Sequence, residues 1–159
     1  MTKKKKETAT KDLACDWFHR TSGERKGVNE NKIYRHKGAC KWSGIRKERY
    51  KQKDGGWSEI SRNVLIGNRG ESAKFHLRYF EIAAGGFSSL EKHLHEHVVV
   101  CIKGKGRVII GEKSHIIKHL DTVYISPNTV HQLSNPYDVP FGFFCIVNAK
   151  RDRPRLVER

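Results

Sequence analysis

The sequence predicts an all-β domain, a sandwich or barrel of the jelly-roll kind. From Ile33 onward, short apolar runs alternate with segments rich in Gly, Pro, Asn and Asp. No stretch keeps a 3.6-residue apolar period over three turns, whereas about ten strand-like runs recur at roughly 8 to 12 residue spacing. This spacing is typical of short strands packed in two facing layers.

The chain of 159 residues has room for a single domain with its own core. We expect a basic N-terminal arm over residues 1–32, a barrel over 33–150 and a C-terminal tail over 151–159. Within the arm, "DLACDWFHR" places apolar residues four positions apart. This pattern is compatible with one short helix, or with a loose arm that a few hydrophobic side chains hold against the barrel.

Composition narrows the class of protein. The longest uninterrupted apolar run, 98–102, is too short to cross a bilayer, and the start "MTKKKKETATKD" lacks a signal-peptide core. We therefore expect a cytoplasmic protein without a membrane partner. The four cysteines form no CxxC pair and are predicted to be reduced. The formal charge of +15 suits an anionic partner, but without a recognisable DNA- or RNA-binding signature we favour an acidic small substrate or a solvated surface over nucleic acid.

Ten segments are predicted to be strands. In chain order they are "IYRH", "GIRKERY", "SRNVLIG", "FHLRYFEI", "HVVVCIKG", "RVIIG", "SHIIKH", "DTVYIS", "VHQLSN" and "FGFFCIVNA". In "FHLRYFEI" the alternation places Phe75, Leu77 and Tyr79 on one face, and His76, Arg78, Phe80 and Ile82 on the other. If the first set packs outward, His76 and Arg78 face the barrel cavity.

The stretch "SSLEKHLHEHVVVCIKGKG" carries the most informative polar residues. On a strand, Glu91, His93, His95 and His97 would share one face just before an apolar run. Unprotonated imidazoles gathered in a core need partners, and one divalent metal ion satisfies several at once. A metal site needs a ligand from a second strand, and His131, after the turn at Pro127 and Asn128, is placed to supply it.

These two stretches together resemble the two motifs of the cupin superfamily, in its small single-domain, cupin 2 type. In "GGFSSLEKHLHEHVVVCIKGKG", counting back from Gly104, the family's Glu position falls on His97 and its two His positions on Glu91 and His93. In "LDTVYISPNTVHQLSN" its His falls on His131 and its Asn on Asn135. The resemblance implies a double-stranded β-helix barrel that is often dimeric, so we expect a homodimer.

The resemblance also implies a ligand set of Glu91, His93, His97 and His131 for one divalent transition metal: Mn, Fe, Ni, Zn or Co. Four further residues are candidates for the pocket: His95, His76, Arg78 and Gln132. For His95 we favour a place at the solvent edge over a role as an alternate ligand. Tyr124 and Phe144 are expected in the core, as are Cys101 and Cys145, so no residue stands out as a nucleophile.

The implied function is a mononuclear metal enzyme acting on a small substrate that chelates the metal through two oxygens. With iron or manganese, dioxygenation or oxidative carbon–carbon cleavage is favoured. With nickel or zinc, Lewis-acid isomerisation or hydrolysis becomes the better expectation. A barrel that binds a metal or small ligand without turnover is the competing class.

Overall fold

The computed structural model describes residues 31–50 and 56–157, and this part of the chain consists of strands and loops without a helix. Most of the predicted N-terminal arm, with "DLACDWFHR" and its expected helix, lies outside these residues. Eleven strands are formed: β1 Glu48–Arg49, β2 Ser58–Ile66, β3 Phe75–Phe87, β4 Glu91–Lys92, β5 His97–Lys103, β6 Lys105–Ile110, β7 Lys113–Lys118, β8 Thr122–Ile125, β9 His131–Ser134, β10 Phe141–Asn148 and β11 Arg155–Leu156.

The strands pair antiparallel throughout, in two groups. One group runs β1-β2-β3-β10-β5-β8 and the other β11-β4-β9-β6-β7. The far end of the long strand β3 joins them, since Phe87 pairs with Ser134 of β9. This nearly closed barrel confirms the predicted jelly-roll, double-stranded β-helix fold.

The core fills the space between the two groups with alternate side chains of facing strands. The strands β3, β5 and β10 contribute most of it, and the remaining members come from β2, β6, β7, β8 and β9. Its buried members are Ile60, Phe80, Ile82, Val99, Cys101, Val108, Ile117, Ile125, Leu133, Phe141, Phe143, Cys145 and Val147. Burial of an aliphatic or aromatic side chain of this size contributes about 1.5–3 kcal/mol, so this set supplies the main driving force for folding.

The outer face of β3 is covered by the segment before β1. The ring centroid of Trp42 lies 5.2 Å from that of Tyr79 and 6.1 Å from that of Phe144. Tyr79 lies over Gly142, where an added Cβ would collide with the tyrosine hydroxyl. Tyr79 therefore packs outward, and the alternation predicted for this strand is confirmed.

Several local predictions differ from the structure. The segment "IYRH" is not a strand, because its backbone pairs only through one bridge between His36 and Trp42. The short strands β4 and β11 were not predicted, since two residues carry no detectable alternation. Tyr124 is 57% exposed and bonds to Glu96 at the surface, so its expected place in the core is wrong.

In the part of the chain that the structure describes, no helix is long and apolar enough to cross a bilayer. Cys40, Cys101 and Cys145 are free thiols, and the last two are buried. The reduced state of the cysteines stays a prediction.

Asn135 is the buried side chain that closes the loop after β9. Its amide nitrogen donates to the carbonyls of Ile82 and Val139, and its oxygen accepts from the Tyr137 amide. We predict that Asn135→Ala lowers the free energy of unfolding by about 2–4 kcal/mol, because one buried carbonyl, one partly buried carbonyl and one amide lose their partner. Urea denaturation measures this loss. Asn148→Ala, at an exposed position, is the control and should change stability little; equal effects would contradict the role given to Asn135.

Candidate metal centre

Three histidines meet at one end of the barrel interior. His97 begins β5, His131 begins β9, and His93 lies in the bend between β4 and β5. Their ring centroids are 4.6 to 5.2 Å apart, and one ring nitrogen from each lies within 4.8 Å of the others. All three are buried. The strand expected to carry residues 91–97 is interrupted at 93–96, and this bend turns His93 towards His97.

The Nδ1 atom of each ring has a partner. His93 Nδ1 lies 2.6 Å from its neighbour's carbonyl, at His95, and His131 Nδ1 lies 2.8 Å from the Thr129 carbonyl. His97 Nδ1 lies 3.7 Å from Cys145 Sγ. A carbonyl accepts only from N–H, so in His93 and His131 the proton sits on Nδ1 and the lone pair on Nε2.

The Nε2 atoms of His93 and His97 are buried and have no hydrogen-bond partner among the described residues. A buried nitrogen without a partner costs about 1–3 kcal/mol, and a metal ion removes that cost. Backbone carbonyls on Nδ1 are also the usual way in which a protein orients a ligating histidine. The residues present therefore fit a metal ion.

The protonation state of the cluster suits the same purpose. Burial, and then the neighbouring imidazoles of His95 and His131, lower the pKa of His93 to about 4. Burial lowers the pKa of His97 further still, with the charge of Arg78 acting in the same direction. Both rings are neutral at pH 7, which is the form that binds a metal.

Glu91 lies beside this group without joining it. It pairs across the sheet with His131, and its buried carboxylate accepts a short hydrogen bond from the Ser89 hydroxyl. The three ligand atoms that converge are ring nitrogens of His93, His97 and His131, and a Glu91 oxygen is not among them. Its role as the fourth ligand stays a prediction.

His95 is buried, so its expected place at the solvent edge is wrong. Its ring stacks on that of His93 with centroids 3.6 Å apart and planes 4° from parallel. The reason lies in the C-terminal segment, which folds back over the bend. Asp152 accepts from the His95 ring at 2.7 Å, and from the amides of Leu94 and His95 at 2.8 and 3.0 Å.

The segment 151–157 is thus part of the site. Its strand β11 pairs with β4, and the Val157 amide donates to the Leu90 carbonyl. The sequence "RDRPRLV" does not predict this contact, because a charged segment after the last apolar strand is typical of a free tail. His93, His95 and Asp152 also form a second group of potential ligand atoms.

The inner face of β3 brings the other predicted pocket residues near the cluster. Arg78 is buried and donates to Cys145 Sγ at 3.3 Å, with its guanidinium carbon 5.1 Å from the centroid of the Phe80 ring. His76 is half-buried on the same face; burial, then Arg151 and Arg78, lower its pKa to about 4. Gln132 differs, because it lies on the face of β9 opposite to His131 and bonds to the Ser88 carbonyl.

Cys145 is the residue that sequence reasoning passed over. Its thiol lies between His97 and Arg78 and contacts both. The sequence showed only a cysteine within an apolar run. Its polar neighbours come from two other strands, and the pairings of Cys145 with Arg78 and of Val147 with His97 bring them together.

Two surface depressions lie elsewhere. One of about 330 Å³ is bordered by charged residues of β1 and β2, and one of about 550 Å³ by Leu90, Gly111, Glu112, Val130 and Val157. Neither contains a histidine of the cluster. We place the candidate site at the histidines, since among residues 31–50 and 56–157 it is there that unpartnered ligand atoms converge.

Comparison with known proteins agrees with this architecture. The cupin domain family Cupin_2 matches residues 78–147. A Rhodospirillum rubrum protein named 1-methylthio-D-xylulose 5-phosphate methylsulfurylase is 37% identical over 117 residues, which are 73% of this chain and 74% of that protein. The chain belongs to the cupin family. The Cupin_2 match includes His93, His97 and His131, so the candidate centre of this cupin lies within the shared domain.

Two crystal structures resemble this cupin closely. A cupin-2 domain protein from R. rubrum is 36% identical with a TM-score of 0.69, covering 74% of this chain and 78% of its own. A cupin 2 conserved barrel protein from Rhodopseudomonas palustris is 34% identical with a TM-score of 0.74, covering 80% and 87%. The fold and the family are therefore shared over most of the described residues.

The three histidines generate a direct prediction about metal content. The purified cupin should hold about one equivalent of a divalent transition metal, and His97→Ala or His131→Ala should lower its metal affinity about 100-fold or more. Inductively coupled plasma mass spectrometry and competition with a chelator measure both. Glu91→Gln should also lower the metal affinity, by a smaller factor, because an amide oxygen is a weaker ligand than a carboxylate and the three imidazoles remain.

His115→Ala is the matched control, since His115 is exposed on β7 and far from the cluster in sequence. A parent protein that takes up no metal after reconstitution would contradict the centre. So would His131→Ala variants that keep the metal of the parent.

Asp152 generates a prediction about stability and its pH dependence. Burial alone would raise the pKa of Asp152, but the amides of Leu94 and His95 and the His95 ring hold it well below its usual range. Asp152→Ala should lower the free energy of unfolding by about 2 kcal/mol near neutral pH. Because the folded-state pKa is lowered, this contribution is present above the ordinary aspartate pKa and should diminish below about pH 4.

Chemical denaturation of parent and variant from pH 7 to pH 3 measures this difference. Asp138→Ala removes a carboxylate at an exposed position and serves as the control. A difference between parent and Asp152→Ala that grows as the pH falls would contradict the assignment.

Proposed function

We propose that this cupin is a metal-dependent enzyme acting on a small phosphorylated ketose. The observation that carries the proposal is the set of three buried imidazoles whose Nδ1 atoms are occupied and whose remaining nitrogens converge. His93, His97 and His131 would hold the metal, with Glu91 as the fourth ligand. Imidazole with carboxylate suits Mn, Fe, Ni, Zn or Co.

The metal would act as a Lewis acid on a carbonyl oxygen of a chelating substrate. The chain's own residues prepare the centre for that task. The Thr129 and His95 carbonyls fix two of the rings, and the Cys145 thiol lies against the third. Burial lowers the pKa of His93 and of His97, which keeps these two imidazoles neutral. Three or four protein ligands would leave positions of an octahedral metal for two substrate oxygens.

The substrate class rests on the R. rubrum relative, whose name specifies 1-methylthio-D-xylulose 5-phosphate. A ketose of this kind offers a carbonyl next to a hydroxyl, which is the pair of oxygens expected to chelate the metal. Its phosphate group suits a chain with a formal charge of +15. We infer a pentulose phosphate with a thioether beside the carbonyl, and chemistry at the carbon–sulfur bond.

The sequence-based expectation of dioxygenation or oxidative carbon–carbon cleavage is a second candidate. The same histidines support it, because such sites in iron and manganese proteins also leave open positions. Isomerisation of the ketose and metal binding without turnover are the remaining alternatives. The homodimer and the cytoplasmic location stay predictions.

A single assay separates these functions. Metal-loaded protein is incubated with 1-methylthio-D-xylulose 5-phosphate, and the substrate is followed by mass spectrometry while dissolved oxygen is recorded. Dithiothreitol is present in a parallel sample, since replacing a carbon–sulfur bond by carbon–hydrogen is a two-electron reduction. We expect loss of the methylthio group without oxygen uptake, abolished in His131→Ala and retained in His115→Ala.

Stoichiometric oxygen uptake would favour the dioxygenase instead. A change of sugar without loss of sulfur would favour the isomerase. Substrate that binds the loaded protein and is recovered unchanged in both samples would contradict an enzyme of this substrate class.

A further inference from the structure

Two arginines near the histidine cluster have no acidic partner among the described residues. Arg78 lies on the inner face of β3 and is 7% exposed. Arg151 follows β10 and is half-buried. The ion pairs of the described residues involve other cations, such as Arg49 and Arg62 with Glu59 and Glu48. Arg78 is therefore a positive charge removed from water without an acidic partner, and Arg151 is a second, half-buried positive charge near it.

The hydrogen bonds of these guanidinium groups are far from saturated. Arg78 donates to the Cys145 thiol, a weak acceptor, and its Nε atom is buried without a partner. Arg151 donates from one nitrogen to the Asn148 carbonyl. Each guanidinium carries five N–H donors, so most of their donors are available to another molecule.

The two charges also act on each other. Burial, and then the charge of Arg78, lower the pKa of Arg151 from its ordinary value. The same two arginines, after burial, depress the pKa of His76 on the neighbouring inner position. Like charges that repel one another inside a protein are costly, and a bound dianion reverses the sign of that interaction.

The strand pairings place Arg78 close to the histidine cluster. Arg78 pairs across the sheet with Cys145, and two residues further along β10, Val147 pairs with both His76 and His97. Arg78 and His97 therefore lie on one inner surface, a single step of about 7 Å apart along the strand direction. Arg151 reaches the same region from the segment that also carries Asp152.

We propose that Arg78 and Arg151 form the binding site for the phosphate group of the substrate. The inference rests on the proposed function for the substrate class, although the anion site itself is independent of the metal. A guanidinium fork matches the oxygens of a phosphate in pairs of parallel hydrogen bonds. A phosphorylated ketose then lies along the inner surface, with its phosphate on the arginines and its carbonyl towards the histidines.

The experiment uses full-length protein from which metal has been removed with a chelator. Isothermal titration calorimetry with inorganic phosphate measures anion binding in the absence of metal. We expect Arg151→Gln and Arg78→Met each to weaken phosphate binding about tenfold or more, the loss expected for charge-assisted hydrogen bonds. Arg153→Gln makes the same change at an exposed position two residues away and should leave binding unchanged.

A second measurement protects the conclusion against a folding defect. Arg78→Met keeps an apolar stem in a buried position and removes an uncompensated charge, so its melting temperature without phosphate should not fall. Phosphate should raise the melting temperature of the parent and of Arg153→Gln, and not that of Arg78→Met. Equal stabilisation of the parent and Arg78→Met would overturn the proposal, as would equal phosphate affinity in the parent and Arg151→Gln.

Two further comparisons show which form of phosphate binds and separate this inference from the proposed function. Titration of the metal-free protein with D-xylulose 5-phosphate and with D-xylulose should show binding of the phosphate ester alone, with the same dependence on Arg151. Phosphate binding lost in the arginine variants of a protein that takes up no metal supports this inference while the proposed function fails. Metal uptake with phosphate binding that ignores both arginines overturns this inference alone.

Discussion

The candidate site depends on histidine nitrogens whose lone pairs are held inside the barrel without a hydrogen-bond partner. His93 and His97 present buried Nε2 atoms to a common point, and no described side chain or backbone group satisfies them. A folded protein tolerates such atoms only where surrounding contacts fix them in place. Here backbone carbonyls bind the Nδ1 atoms of His93 and His131, and the ring of His95 stacks on that of His93. His97 and His131 are also fixed by their place at the start of β5 and β9.

The C-terminal segment explains how an irregular bend can serve as a scaffold. A bend between two strands is usually the mobile part of a barrel rim, because its backbone groups have no ladder to join. Asp152 occupies the Leu94 and His95 amides, and β11 adds a partner to the two-residue strand β4. The bend is thereby held from both sides, and the segment that holds it also carries Arg151.

The sequence predicted the fold and the candidate ligands through different signals. Period-two alternation placed Tyr79 and Arg78 on opposite faces of β3, and this is a local property that needs no knowledge of the partner strand. Which face points inward depends on the packing of the whole barrel, and the alternation left it open. The histidines were found because three occur within five residues and a fourth follows a turn. The environment of Cys145 was missed because its polar contacts come from β3 and β5, which sequence spacing does not relate. Asp152 was missed because a single acid in a basic segment has no pattern of its own, and only the return of the chain across the bend gives it a role.

The inner surface of the barrel changes from apolar to polar along the same three strands. On β3 the inward side chains run from Ile82 and Phe80 to Arg78 and His76. On β10 they run from Phe141 and Phe143 to Cys145, with the apolar Val147 beyond it. On β5 they run from Cys101 to His97. Burial of the apolar half of this surface offsets the free-energy cost of burying the polar half. The same strands run through both halves, so the polar half cannot open without exposing the aromatic core. A site with buried charge and unpartnered nitrogens can therefore persist before any ligand arrives. A metal ion at the histidines and an anionic substrate group at the arginines then complement its two uncompensated parts.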